Sequence, residues 1–276
     1  MSYRYRYNKS EKRRSPGAII FALLAFIGIL IWAIFATCGN VSQPGKGVLV
    51  VGTNTPFPPF EIRKGEEVVG FDIDFAKKIA DALGRKLIVK DFNEFDALLP
   101  AVVYGGSLDM AISSITIRED RKEVVSFSDS YFKSSQAVLT KRNNPVIYSG
   151  NPALLKELKV GYQEGTTSQF WLEENFGKGS PNLVPFGDVS IGLQILLAGS
   201  IDAIVIDEPA AASFAKANPN LKVAGKIETG EEYGVAVAKN DPKKFLPTVN
   251  KIIKEMRQSG EYDKLIAKWF GGGVSP

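Results

Sequence analysis

The chain has 276 residues, of which 45% are hydrophobic, so it is long enough to bury one core or two smaller ones. Seven of its 34 basic residues and one of its 30 acidic residues lie in residues 1–46, which leaves 27 basic and 29 acidic residues elsewhere and excludes a nucleic-acid-binding surface there. The sequence has no histidine and a single cysteine, which excludes a zinc site or a histidine-based catalytic site, and we expect no metal and no cofactor.

The N-terminal segment has the charge pattern of an export or anchoring sequence. Residues 1–16 are basic, and residues 17–38 form an uncharged apolar run that is long enough to cross a bilayer. Basic residues stay cytoplasmic, so we expect the following residues to lie on the outer face of the cytoplasmic membrane. The run is either a retained anchor or a signal segment ending at a lipidated Cys38, and these alternatives stay open. Residues 39–46 are predicted to be a polar linker.

From residue 47 onward, short apolar runs alternate with helical patterns. An amphipathic pattern predicts a helix over residues 71–84, with Gly84 ending it, and a second helix is predicted over 94–106. Apolar runs predict strands over 48–54, 86–92 and 108–113. The alternation predicts an α/β fold with mostly parallel sheets.

A helix–strand unit recurs along the chain. Residues 98–114 resemble residues 193–207, since both contain an apolar helix, a Gly-Ser pair and a buried strand. Such a repeat predicts two similar lobes. Ligands of parallel α/β sheets bind beyond the carboxyl ends of the strands. Two facing lobes would therefore bring four strand ends to one cleft, namely Asn54, Ser113-Ser114-Thr116, Gln163 to Thr167, and Asp207.

The stretch "SSITIREDR" at residues 113–121 has the residues of an anion site. Thr116 and Glu119 predict a capping box at a helix start, where free N–H groups favour an anion. Arg121 could add two parallel hydrogen bonds to a carboxylate. From this stretch alone, a ligand site and a plain capped helix are equally consistent with the sequence.

Asp207 provides the complementary charge. It follows four apolar residues, and a carboxylate at the edge of an apolar interior needs a cationic partner unless it caps the helix that begins at Glu208-Pro209. A carboxylate clamp on one lobe and an acid on the other would fit an α-amino acid. Thr166 with Gln169 predicts a second capping box. Phe57 and Phe95 could sandwich a ligand side chain, whereas Phe60 is expected in the core.

The chain from about residue 47 to 271 resembles the family 3 extracellular solute-binding proteins, the polar amino-acid receptors of ABC importers. The resemblance rests on stretches such as "VGTNTPFPPFE", "VVGFDIDFAKKIADALG", "LDMAISSITIREDRKEVVSFSDSYF", "GYQEGTTS" and "AGSIDAIVIDEPAA". It implies a two-lobed, type II periplasmic-binding-protein-like fold that closes around its ligand, with ABC transporter membrane subunits as partners. Lobe 1 would comprise residues 47–136 and 230–276, lobe 2 residues 137–229, with crossings near 133–141 and 227–233.

The resemblance also implies which residues of the cleft contact each group of the ligand. The ligand carboxylate would contact Arg121, Thr116 and the Thr166–Thr167 region, and the ligand amino group would contact Asp207, Ser114 and Thr116. The predicted ligand-binding residues are Asn54, Phe57, Phe95, Ser113, Ser114, Thr116, Arg121, Gln163, Thr166, Thr167 and Asp207. Glu61 and Glu164 are further candidates for side-chain specificity, although each alone is expected to be a surface carboxylate.

The order of expected ligands follows from the departures from the family pattern. Asn54 stands where many family members have an acid, and the missing acid weakens the case for a cationic ligand. Asn54 and Gln163 together, however, resemble the residues of arginine receptors. We expect arginine or another basic amino acid first, glutamine second and acidic ligands last. An enzyme is not expected. The alternatives are a cyclohexadienyl or arogenate dehydratase on the same fold, which would need a general acid over the ligand, and the ligand-binding domain of a sensor.

Overall fold

Two five-stranded sheets form the framework of the protein. The structure is a computed structural model that describes residues 47–104 and 106–271. The predicted basic segment, the apolar segment with Cys38, and the linker lie outside the described residues. The strands, in chain order, are β1 Val48–Asn54, β2 Ile62–Lys64, β3 Glu67–Val69, β4 Lys86–Phe92, β5 Met110–Ala111, β6 Val125–Phe127, β7 Phe132–Lys141, β8 Val160–Gln163, β9 Leu183–Phe186, β10 Ala203–Asp207, β11 Leu221–Tyr233 and β12 Ala236–Ala238.

Helices cover both sheets. Short 3₁₀ turns at Phe95–Ala97 and Pro152–Leu155 accompany them. None of the helices in the described part of the chain is both long and apolar enough to span a bilayer. The α-helices are α1 Phe71–Ala82, α2 Leu98–Val103, α3 Glu119–Val124, α4 Thr167–Phe176, α5 Val189–Ala198, α6 Glu208–Ala217, α7 Leu246–Ser259 and α8 Glu261–Phe270.

The first sheet has the strand order β4-β1-β5-β12-β6 and the second has the order β11-β7-β10-β8-β9. In the first, β1 runs parallel to β4 and β5, while β12 is antiparallel to its neighbours. In the second, β8 runs parallel to β9 and β10, while β7 is antiparallel to β10 and β11. We refer to the first sheet with its helices as lobe 1 and to the second as lobe 2. The residue bounds of the lobes stay a prediction.

The central strands of each sheet are buried on both faces, as expected for parallel strands that are covered by helices. In lobe 1, Leu49 and Val51 pack with α1, α7 and α8, while Leu98 and Val102 belong to a cluster on the opposite face. In lobe 2, two further clusters include Leu196 and Leu172 respectively. This double burial explains why β1 and β10 are mostly apolar in sequence, whereas the edge strand β4 carries exposed lysines.

The chain passes between the sheets along β7 and β11, which pair antiparallel to one another. Strand β7 follows β6 of the first sheet, and β11 precedes β12 of the same sheet. The register between β7 and β11 shifts between Ile227 and Glu231, so this connection is irregular next to the cleft. Within residues 47–104 and 106–271, these two strands are the elements that would bend if the lobes moved as rigid bodies.

Several predicted elements are confirmed, and one helix start is wrong. Strands 48–54 and 86–92 have the expected bounds, and the first helix ends at Ala82 with Gly84 at a φ of +63°. The strand predicted over 108–113 is shorter, Met110–Ala111. The helix predicted to start at Thr116 starts at Glu119, with Arg118 at its N-cap position. The reason is that the Thr116 hydroxyl bonds elsewhere, as described below.

Candidate functional site

A cavity lies between the lobes, beyond the carboxyl ends of β1, β8 and β10, where parallel α/β sheets bind ligands. Four residues that the sequence did not single out, Ser168, Phe186, Val205 and Ile206, also contribute to its wall. With the lobes as they stand, the free space among the side chains is about 20 Å³, room for roughly one water molecule. The cavity is lined by all eleven predicted ligand-binding residues, Asn54, Phe57, Phe95, Ser113, Ser114, Thr116, Arg121, Gln163, Thr166, Thr167 and Asp207, and by Glu61.

Arg121 is a buried cation in the cavity wall. The side chain projects from α3, is 6% exposed, and donates to the backbone oxygens of Thr116 and Gly165, each at 2.9 Å. Its guanidinium carbon lies 5.5 Å from the ring centre of Phe95. Burial, and then the charge of nearby Arg118, lower the pKa of Arg121 to about 10, so it stays charged at neutral pH. Within residues 47–104 and 106–271 it forms no ion pair with a carboxylate.

Asp207 is the buried acid of the opposite lobe. It ends β10 and accepts hydrogen bonds from the side chains of Gln136 and Tyr233. Burial first, and then the negative charge of Glu231, raise its pKa to about 7. It stands at the N-cap position of α6, but its side chain makes no capping hydrogen bond. The described residues offer it no ion pair, so capping does not account for the charge.

A hydroxyl network fixes which groups can donate into the cavity. Thr116 Oγ1 and Thr167 Oγ1 both donate to Glu231 Oε2, at 2.6 and 2.8 Å. Gln136 Nε2 donates to Glu231 Oε1 at 2.8 Å and to Thr167 Oγ1 at 3.1 Å. Because each hydroxyl has only one proton, and Glu231 receives it, Thr116 Oγ1 can only accept from a ligand. This atom therefore suits an ammonium group rather than a carboxylate, and it does not cap α3 as predicted.

The start of α4 presents free N–H groups to the cavity. Thr166 occupies the predicted N-cap position, but its hydroxyl donates to the backbone oxygen of Gln163 at 2.6 Å instead of accepting from the helix. Gln169 Oε1 reaches back to the N–H of Gly165 at 2.8 Å. The predicted capping box is thus placed correctly but bonded differently. Because no side chain caps this ten-residue helix, its first N–H groups can bind an anion.

A chain of amides and a carboxyl group forms the other end of the cavity. Gln163 Nε2 of lobe 2 donates to Asn54 Oδ1 of lobe 1 at 3.0 Å. The Asn54 N–H donates to Ser113 Oγ at 3.0 Å, and Ser113 Oγ donates to Glu61 Oε1 at 2.6 Å. Glu61 is fully buried, so its expected surface position is wrong, because the 57–61 turn folds it under the cavity. Glu164 is exposed and does not line the cavity.

The two phenylalanines differ in their surroundings. Phe57 is half-buried and packs against core clusters of both lobes, so it bridges them beside the cavity. Phe95 is also half-buried and lies over Arg121. Phe60 has no exposed surface and contacts Phe71 and Phe132 in the core of lobe 1, as predicted.

The chain matches one family model over residues 49–272, that of the bacterial extracellular solute-binding proteins, family 3. A "Probable histidine-binding protein" of Neisseria gonorrhoeae is 35% identical over 233 residues, which are 83% of this chain and 85% of that protein. The solved structure of an ancestral arginine-binding protein bound to glutamine has a TM-score of 0.75 and 40% identity, and the match covers 82% of this chain and 99% of that one. The arginine-, lysine-, histidine-binding protein ArtJ from Geobacillus stearothermophilus has a TM-score of 0.74 and 34% identity, over 83% of this chain and 96% of that one.

Proposed function

Because the chain belongs to the bacterial extracellular solute-binding proteins of family 3, we propose that it is an extracytoplasmic receptor that delivers a polar amino acid to an ABC importer. Family members and structural neighbours are solute-binding proteins, so the chain is a binding protein and not an enzyme. The dehydratase alternative has no support among the relatives and is abandoned. The membrane subunits of the importer are the proposed partners.

The observation that carries this proposal is a buried cation and a buried acid that line one cavity, neither of them in an ion pair. Arg121 in lobe 1 and Asp207 in lobe 2 are each 6% exposed. Neither forms an ion pair with another described residue. A buried charge without a partner is costly, so each favours a ligand group of opposite sign. An α-amino acid supplies a carboxylate and an ammonium group together.

The atoms of the ligand can be assigned from donor and acceptor polarity. We place the carboxylate on Arg121 and on the N–H groups at the start of α4, because both are donors. We place the ammonium on Asp207 and Thr116 Oγ1, because both are acceptors toward the cavity. The side chain then extends toward Phe57, Glu61 and the amide pair of Asn54 and Gln163.

The far end of the cavity bears on which amino acid is bound. Glu61 supplies a buried acid, which favours arginine or another basic amino acid, and the amides can bind a glutamine side chain. Two relatives support this order, since one structural neighbour is an arginine-, lysine-, histidine-binding protein and another was solved with glutamine bound. We therefore keep basic amino acids first and glutamine second.

Ligand entry requires the lobes to separate. The free space of about 20 Å³ is too small for an amino acid. Cross-lobe hydrogen bonds from Arg121 to Gly165 and from Gln163 to Asn54 would open, with β7 and β11 as the hinge. Outside the described residues, the charge pattern of residues 1–38 supports anchoring of the receptor to the outer face of the membrane, through residues 17–37 or a lipidated Cys38.

A thermal-shift screen of the purified full chain against the common amino acids tests the proposal. A ligand at one hundred times its Kd should stabilise the protein by about 2.7 kcal/mol, which is easily detected. We expect basic amino acids to give the largest shifts and glutamine a smaller one. No shift with any amino acid would overturn the proposed function.

A further inference from the structure

Glu61 touches a second buried acid that lies behind the cavity. Asp72, in the first turn of α1, is fully buried and accepts hydrogen bonds at its Oδ2 from the Ser114 N–H, at 2.8 Å, and from the Tyr131 hydroxyl, at 2.9 Å. Glu61 Oε2 and Asp72 Oδ1 receive no hydrogen bond from any donor in the described part of the chain. Ser113 and Ser114, adjacent in the chain, hold the two acids side by side, and each acid shifts the pKa of the other as expected across a hydrogen bond. Two carboxylates cannot form such a bond, but a carboxyl group and a carboxylate can.

The surroundings of the pair contain no compensating cation. Ser113 donates to Glu61, and Tyr131 donates to Asp72. The other nearby charge is Asp91 at the end of β4, which is negative and is itself paired with Arg63 on the protein surface. Neither Glu61 nor Asp72 forms an ion pair within residues 47–104 and 106–271. Two negative charges at this place would be strongly unfavourable without a cation.

We propose that Glu61 and Asp72 share one proton, and that a cationic ligand side chain expels this proton whereas a neutral side chain leaves it in place. This inference rests on the proposed function and names Asp72 as a residue that sets specificity without touching the ligand. A guanidinium or ammonium group at Glu61 supplies the positive charge that allows both acids to ionise. A neutral amide supplies none, so the pair keeps its proton.

The titration behaviour of the pair agrees with its geometry. Burial, and then the charge of Asp72, raise the pKa of Glu61 well above its usual range. Burial raises the pKa of Asp72 to about 7. The pair therefore holds a proton at neutral pH until a cation arrives. By linkage, affinity for a cationic ligand rises with pH while the free pair is protonated, relative to affinity for a neutral ligand.

Calorimetric titration with arginine and with glutamine tests the inference on the wild-type full chain. Each ligand is titrated at pH 7 in two buffers of different ionisation enthalpy, which gives the protons released per ligand bound. Both ligands present the same ammonium group to Asp207. The protons that Asp207 releases therefore cancel when the proton release of the two ligands is compared. We expect arginine to release up to about one proton more than glutamine, and the ratio of their Kd values to change by up to about tenfold per pH unit in favour of arginine as pH rises.

Two variants on the same helix locate the proton. Asp72→Asn removes the shared proton, because the asparagine N–H donates to Glu61 and holds it as a carboxylate, so the extra proton release should vanish. The matched control is Asp74→Asn, since Asp74 bonds Lys268 and Trp269 on the outer side of α1 and should keep the wild-type proton release. This comparison needs arginine alone.

The outcomes separate the two proposals. Equal proton release by arginine and glutamine in the wild type would overturn the inference even if Asp72→Asn failed to fold. Undiminished proton release in folded Asp72→Asn would do the same. Wild-type protein that bound glutamine but not arginine would overturn the inference and leave amino-acid binding standing, whereas binding of no amino acid would overturn the proposed function and the inference with it.

Discussion

Arg121 of lobe 1 donates a hydrogen bond of 2.9 Å to the backbone oxygen of Gly165 in lobe 2. The residue proposed to hold the ligand carboxylate therefore also contacts the lobe that must close over the ligand. Gly165 directly precedes the N-cap residue of α4, whose N–H groups are the second proposed donor to the carboxylate. Ligand binding and lobe closure thus involve the same guanidinium group.

Arg121→Ala should abolish tight binding. Breaking a buried ion pair costs about 3–5 kcal/mol, which corresponds to about two to three and a half decades in Kd. Calorimetry with arginine measures the loss, and circular dichroism confirms folding. The matched control is Arg118→Ala, because Arg118 lies three residues away but pairs with Asp120 and stacks 3.8 Å from the ring centre of Phe170 at the cleft surface. We expect a change of about 1 kcal/mol or less for this control. Loss of binding in Arg118→Ala with binding retained in Arg121→Ala would reverse the assignment.

Asp207→Asn should weaken binding and alter the pH dependence of stability. The pKa of Asp207 is about 7 in the folded protein and about 3.8 in the unfolded chain, so the folded state holds the extra proton between these values. Stability then falls as pH rises through this window, by up to about 1.4 kcal/mol per pH unit for this group. Urea unfolding from pH 5 to 8 should show that the free energy of unfolding of the variant rises relative to that of the wild type as pH rises. A constant difference between the two proteins would show that Asp207 is ionised throughout.

The titration of Asp207 should affect ligand affinity in the opposite direction to stability, so that affinity rises with pH. The ligand ammonium favours the ionised carboxylate, so binding by the wild type should weaken as pH falls below about 7. Fluorescence or calorimetric titration with glutamine isolates this effect, because the neutral side chain leaves the Glu61–Asp72 pair unchanged. Stronger glutamine binding at pH 5 than at pH 7 would remove Asp207 from the ammonium site.

Substitutions at Thr116 should distinguish the contribution of its hydroxyl to ligand affinity from the contribution of its size. Thr116→Ser keeps the donor to Glu231 and the acceptor toward the ligand, so we expect nearly unchanged affinity. Thr116→Val keeps the size but loses both functions, and we expect a loss of about 1–3 kcal/mol of binding free energy. Equal affinities of the serine and valine variants would show that the hydroxyl does not contact the ligand.

The two phenylalanines should respond differently to the ligand's charge. Phe57→Ala should weaken the binding of basic amino acids by about 0.5–2 kcal/mol, because a cation–π contact is lost, and should weaken glutamine binding less. Phe95→Ala should weaken the binding of both ligands, because Phe95 lies over Arg121, which is proposed to bind the carboxylate that both ligands carry. Titrating both variants with both ligands checks this pattern. Equal losses for both ligands in Phe57→Ala would make Phe57 a packing residue.

The strand ends of the site were predictable from the sequence for a simple reason. Asn54, Gln163 and Asp207 end apolar runs, and the carboxyl ends of parallel strands share one edge of a sheet. Arg121 required the comparison with a family pattern, since its spacing from Arg118 does not separate the two.

The hidden partners of the site could not be predicted from local patterns. Thr116 fits a capping box, but its hydroxyl finds Glu231, 115 residues later, and this contact overrides the local signal. Glu231 lies on β11 just after a register shift, so alternation along the strand does not reveal which face it occupies. Gln136 is a fully buried amide, but it follows the polar residues Lys133, Ser134 and Ser135 in β7, so the local sequence gives no signal of its burial. Glu61 lies in a turn whose direction only the folded structure gives.

Calorimetric titration of the wild-type protein with arginine, agmatine and N-acetylarginine tests the central claim most directly. Agmatine lacks the carboxylate and N-acetylarginine lacks the ammonium charge, while both keep the guanidinium side chain. If Arg121 and Asp207 each neutralise one end of the ligand, both analogues should bind at least about one hundredfold more weakly than arginine, the loss expected for a buried charge left unpaired. Agmatine or N-acetylarginine binding as tightly as arginine would contradict the account.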